Sequence, residues 1–202
     1  HAAAVVEAWY PGEQGGSALA DILYGRVSPS GRLCVSFPNS VEDLPAFDRY
    51  NIDEGRTYLY SRAVPLYPFG FGLSYTSFAY ANLNCDPQHR VTVELRNTGK
   101  RRGREVVQLY LDSAGQVEQP VWRLVGICCV ELAAGEARQV SFALTERHFS
   151  LVDRQGRRIV YPGSYTLAAG GSQPDARCRA LGAPQPALCP VTLSGNIREI
   201  PC

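Results

Sequence analysis

From residue 78 onward apolar and polar positions alternate with period two, the spacing of a half-buried strand. Phe78 to Leu83 alternates. Val91 to Leu95 does the same, with Val91, Val93 and Leu95 on one face, and Asn97-Thr98-Gly99 ends the run. Val106-Val107-Gln108-Leu109-Tyr110-Leu111 follows, then Val140, Phe142 and Leu144, then Tyr165, Leu167 and Ala169. Asp153-Arg154-Gln155-Gly156 predicts a turn. Short strands between turn residues, over about 100 residues, predict a β-sandwich of immunoglobulin-like size. Beyond Gly170 the chain reads as an irregular tail with one late strand candidate, Val191-Thr192-Leu193.

Residues 1–46 carry a different pattern. Ala2 to Trp9 is a short, mostly apolar run, which predicts a strand buried on both faces as in a parallel sheet. Pro11 to Gly16 is a loop, and Ser17 is the expected N-cap of a helix with Leu19, Ile22 and Leu23 on its apolar face. Gly25 is its expected stop. After a turn at Pro29-Ser30-Gly31, Leu33 to Phe37 predicts a second strand. Strand, helix and strand make one crossover unit of an α/β layer, too small to fold alone and expected to be the last edge of a larger domain. The chain contains no methionine, and His1 runs straight into the apolar stretch, so residue 1 is read as a cut or processing point.

Between these regions, residues 47–77 are rich in Pro and Gly yet hold Phe47, Tyr50, Tyr58, Tyr60, Tyr67, Phe69, Phe71 and Tyr75. A free tether would be polar, so this stretch is expected to pack along a surface. The organisation is thus 1–46, an incomplete α/β part; 47–77, an aromatic linker; and 78–202, the sandwich with its tail. The fold class is mainly β.

Composition narrows the function. With 45% hydrophobic and 19% charged residues the chain is globular. A net charge of +1 with no basic stripe argues against nucleic acid, and Lys100-Arg101-Arg102-Gly103-Arg104 is expected to be a solvated hairpin tip. No apolar run approaches the roughly 20 residues of a membrane span, and no signal-peptide pattern is present. The seven cysteines include no CxxC pair and no zinc spacing. Cys128 and Cys129 are expected on opposite faces of a strand. Most of the cysteines read as small buried hydrophobes of a reducing, cytoplasmic compartment, with export left open and a bridge among Cys178, Cys189 and Cys202 also open.

Three segments together resemble glycoside hydrolase family 3. Ala8-Trp9-Tyr10-Pro11-Gly12-Glu13-Gln14-Gly15-Gly16, Ala20-Asp21-Ile22-Leu23-Tyr24-Gly25 and Pro29-Ser30-Gly31-Arg32-Leu33 look like the end of that family's α/β sandwich domain. Pro65 to Phe78, with Pro68-Phe69-Gly70-Phe71-Gly72-Leu73-Ser74-Tyr75-Thr76, looks like the passage into its third domain. Asn97-Thr98-Gly99, Gly103-Arg104-Glu105-Val106-Val107-Gln108-Leu109-Tyr110 and Pro162-Gly163-Ser164-Tyr165 are similar to its fibronectin type III-like domain. Gly55-Arg56-Thr57-Tyr58 is similar to the β-xylosidase and α-arabinofuranosidase branch, with β-glucosidases next.

Retaining glycosidases need two carboxyl groups about 5–5.5 Å apart. The resemblance implies an Asp nucleophile on an N-terminal barrel and a Glu acid/base in the α/β domain, both upstream of residue 1. No catalytic residue, cofactor site or metal ligand is therefore assigned within this chain. The implied substrate is an oligosaccharide met through the upstream domains, on which this segment would pack, with no nucleic-acid or membrane partner. Glu13 reads as support for the helix start, with a second role beside the upstream active site as the alternative. Glu42, Asp43, Asp48, Asp53 and Glu54 read as a solvated face. His1, His89 and His148 lie in no triad motif and read as surface residues. Gly12, Gly15 and Gly16 do not make a dinucleotide fingerprint. Tyr58, Tyr67 and Trp122 read as glue between domains, with sugar stacking as the alternative.

Overall fold

The computed structural model describes residues 2–112 and 120–201. Two antiparallel sheets form the sandwich. One holds β1 (Phe78–Cys85), β2 (Arg90–Asn97) and β5 (Ala137–Ala143) in the order β1-β2-β5. The other holds β3 (Gly103–Asp112), β4 (Arg123–Leu132), β8 (Gly163–Gly170) and β9 (Ala187–Leu193) in the order β4-β3-β8-β9. A small third sheet joins β6 (Ser150–Val152), β7 (Arg158–Val160) and β10 (Arg198–Ile200) in the order β10-β7-β6. Two helices complete the fold, α1 (Gly15–Leu23) and α2 (Ala176–Ala180).

The alternation read from the sequence sets the core. Val91, Val93 and Leu95 of β2 meet Val107 and Leu109 of β3, Leu132 of β4 and Leu167 of β8, all fully buried. Each such side chain contributes about 1.5–3 kcal/mol on burial. Register fixes the match, pairing Val93 with Val140 and Leu111 with Leu167. Strand β3 is covered on both faces. Val107, Leu109 and Leu111 belong to the sandwich core, while Gln108 and Tyr110, also buried, meet the linker. A strand covered twice reads as a continuous apolar run. In β1 the register shifts between Ala81 and Asn84, with Asn82 at φ 53°, so that Leu83 and Cys85 turn inward.

Several local expectations change. Residues 2–9 form no strand and are mostly exposed, because a ladder needs a neighbour and none among the described residues lies beside them. Leu33 to Phe37 makes no regular strand either. It is zipped to the linker at its two ends: Leu33 N donates to Phe71 O at 2.9 Å, and Phe37 N donates to Tyr67 O at 2.8 Å. The helix starts at Gly15 with Gln14 as its N-cap, so Ser17 lies inside it. Gly25 does end it: with φ 69°, Gly25 N donates to Ile22 O and Arg26 N to Asp21 O. The basic run 100–104 joins β2 to β3, which lie in different sheets, so it is a crossover between sheets and not a hairpin tip. The tail after Gly170 is ordered into α2, β9 and β10. Of the six described cysteines only Cys178 is buried; Cys34 and Cys129 are exposed, and Cys128 and Cys129 do part to opposite faces. Cys178 and Cys189 are free thiols, while Cys202 and His1 lie outside the described residues. His89 and His148 are half-buried, His89 against Phe149 at 5.1 Å and His148 accepting from Thr145 N at 2.9 Å.

Candidate functional site

The densest polar chemistry lies where the N-terminal segment meets β3. Glu105 is the one buried carboxylate among the described residues. Arg32 Nη2 donates to its Oε2 at 2.7 Å, and the Tyr80 hydroxyl donates to Oε1 at 2.8 Å. Arg32 Nε also donates to Gly171 O at 3.0 Å. That carbonyl takes a second bond, from Gln108 Nε2 at 2.9 Å, and Gln108 reaches on to Gly70 O at 3.0 Å. Tyr110 closes the chain by donating to Gln108 Oε1 at 2.6 Å. Gly70 sits at φ 77°, and a Cβ there would stand 2.3 Å from Gln108 Oε1, so only glycine fits.

Electrostatics match a structural role. Burial pushes the Glu105 carboxyl upward, while the Arg32 charge and the bonds from Tyr80 and Arg32 pull it back. Burial first, and then the Glu105 charge, raise the Tyr80 hydroxyl well above its usual value. Both carboxylate oxygens are engaged and the residue is 1% exposed, so Glu105 does not face an open cleft. Asn97 forms a second knot. Its Oδ1 accepts from the Thr76 hydroxyl at 2.7 Å and from Gly99 N at 3.1 Å, and its Nδ2 donates to Arg101 O and Leu132 O. Further ties run from Tyr75 Oη to Ile22 O at 2.9 Å and between the hydroxyls of Ser28 and Ser74 at 2.8 Å.

The sequence-derived acids lie elsewhere. Glu13, Glu42, Asp43, Asp48, Asp53 and Glu54 are all exposed. Asp43 accepts from Ser40 N and Glu54 from Asn51, each holding its own turn. Among the described residues no group of three His, Cys, Asp or Glu side chains is placed to hold a metal, and no helix is long and apolar enough to cross a membrane. Arg56 donates to the carbonyls of Ala46, Phe47 and Arg49 and lies over the Tyr50 ring at 5.3 Å.

Of the aromatics, Tyr58 stacks on Phe69 at 3.8 Å and its oxygen accepts from Leu124 N. Tyr67 lies between Phe37 and Phe71 at 6.3 and 6.2 Å. Both are glue between the segments. Trp122 is different. It lines a cleft of about 530 Å³ between residues 61–65 and α2.

Fold and site together define a fibronectin type III-like sandwich locked to the end of an α/β domain. The profile of the glycosyl hydrolase family 3 C-terminal domain matches residues 1–75, and that of the fibronectin type III-like domain matches residues 105–173. The chain belongs to the C-terminal region of glycoside hydrolase family 3. That family is one of glycosyl hydrolases. A β-xylosidase of Formosa agariphila is 37% identical over 180 residues, covering 83% of this chain and 25% of that protein. β-Glucosidase B of Emericella nidulans is 37% identical over 202 residues, covering 85% and 24%. The solved structure of β-glucosidase 3B from Thermotoga neapolitana aligns with a TM-score of 0.80 at 29% identity, over 95% of this chain and 28% of that one. The chain thus spans about a quarter of the length of these relatives.

Arg32, Asn97, Glu105 and Gln108 all fall within the family-like motifs, whose local pattern does not reveal their contacts. The available signal was an acid and an amide inside an otherwise apolar strand run, since such groups are buried only with partners.

Proposed function

We propose that this chain is the C-terminal buttress of an exo-acting β-glycosidase that removes terminal β-linked sugars by a retaining two-carboxylate mechanism. The nucleophile Asp and the acid/base Glu would lie upstream of residue 1, on a barrel and in the rest of the α/β domain. One contrast carries this reading. Toward the sandwich, the 1–75 segment is bonded through Arg32, Tyr58 and Gly70. On its other sides it is bare: among the described residues, seventeen of the twenty-one exposed large hydrophobics fall within 1–75, Tyr10, Leu23, Val41 and Phe47 among them. A patch of this kind marks an interaction surface, and we assign it to the preceding domains of the same polypeptide. In this reading 1–46 completes the α/β domain, 47–77 is the packed linker and 78–202 is the sandwich.

Within the family we favour β-xylosides over β-glucosides, on Gly55-Arg56-Thr57-Tyr58. Arg56 fixes the loop that carries exposed Phe47, Asp48 and Tyr50, and that loop is where the preference would be expressed. The test is to read the coding sequence upstream of His1 and assay the longer polypeptide on aryl β-xyloside and β-glucoside. An Asp-bearing barrel and a Glu-bearing α/β domain, with the larger kcat/KM on the xyloside, are expected. A different upstream architecture overturns the enzyme reading; a larger kcat/KM on the glucoside overturns only the sugar preference.

A further inference from the structure

An amide and an indole line the cleft beside α2. Gln173 is 8% exposed and lines it, and its hydrogen bonds among the described residues engage its backbone carbonyl. Trp122 lines the same cleft, half-buried, with no ring partner among the described residues. Every other aromatic named for stacking is already paired. At the rim, Arg62 is exposed, and Asp175 caps α2 through Oδ1, which accepts from Cys178 N at 2.7 Å. Arg177 is already committed, with Nε and Nη2 both on Leu66 O at 3.2 Å.

Chemistry limits the ligand. Among the described residues, the exposed Arg62 guanidinium beside the Asp175 carboxylate gives no field for a strong anion or cation. An amide both donates and accepts, which matches a hydroxyl. A flat indole face matches an apolar ring face. At about 530 Å³ the space is within the range of ligand pockets. We propose that this cleft binds a pyranose ring of a neutral oligosaccharide, with Trp122 under the ring and Gln173, Arg62 and Asp175 on its hydroxyls. This stands independently of where the catalytic pair lies.

The experiment uses the 202-residue chain carrying Trp9→Phe, so that Trp122 is the only indole. Xylotriose and cellotriose are titrated separately while Trp122 emission is followed. At least one should give a saturable change at millimolar concentration or below. Gln173→Ala should weaken it about tenfold, the loss expected when a hydroxyl partner is removed. Arg62→Ala, an exposed change that leaves folding intact, should weaken it severalfold. No saturable change up to about 10 mM of either sugar overturns the proposal, since specific sites bind at millimolar or tighter. Affinity unchanged in both variants also overturns it. A response to an uncharged tetrapeptide with none to either sugar would assign the cleft to peptide instead and end the proposal.

Discussion

Arg32 and Glu105 stand 73 residues apart in sequence, yet they meet at 2.7 Å with side chains only 8% and 1% exposed. Removing one member strands the other charge in a dry site. Glu105→Ala should therefore cost about 3–5 kcal/mol, far above the loss of a surface pair such as Arg102 with Glu131. Arg32→Met combined with Glu105→Leu should cost clearly less than the sum of the two single changes. Urea denaturation of the four proteins measures this, and additive losses would mean the pair is uncoupled.

Asn97 bonds four groups from three parts of the chain. Asn97→Ala leaves two carbonyls and the Thr76 hydroxyl without this partner, at about 1–3 kcal/mol for each group that stays buried and unpaired. Thr76→Val removes one bond and should cost about 1 kcal/mol. Thermal unfolding should rank the alanine variant well below the valine one.

Alkali should unfold the chain through its buried phenols. Burial raises Tyr80 and Tyr110 above the usual tyrosine value near 10, with the Glu105 charge adding to Tyr80 and the Tyr58 charge to Tyr110. Above that value the folded state holds protons that the unfolded state has released. Stability is therefore full below about pH 10 and falls as pH rises beyond it. The phenolate absorbance of these two should appear together with loss of circular dichroism. If all eleven tyrosines titrate as one set while the fold persists, the burial argument fails.

Thiol reactivity should separate the cysteines. Burial pushes Cys178 up to about 12, whereas Cys34 and Cys129 are exposed. The thiolate is the reacting form. Iodoacetamide near pH 8 should label Cys34 and Cys129 first and Cys178 last, with mass spectrometry of the peptides giving the order. Early labelling of Cys178 would contradict its burial on the inner side of α2.

Much of this fold was legible in the sequence. The period-two runs placed β1, β2, β5 and β8, because one buried face imposes alternation, and a continuous apolar run placed β3, which is covered on both faces. Strand β9 was shortened to its last three residues because Pro190 interrupts it. A proline is tolerated there since β9 is an edge strand, bonded only to β8. The segments 2–9 and 33–37 misled because apolar content reports burial, not the presence of a ladder partner. The clamp was invisible for a different reason. Local pattern carries no information about a contact between Arg32 and Glu105, and only the crossing of the 1–75 segment over the end of β3 brings them together.

The most direct measurement is turnover by this 202-residue chain alone on aryl β-xyloside and aryl β-glucoside. A buttress whose described carboxylates are exposed or half-buried, with Glu105 held by Arg32 and Tyr80, should release no phenol above the uncatalysed rate with either substrate. Release above that rate, abolished by changing a carboxylate of this chain, would contradict the account and place catalysis within it.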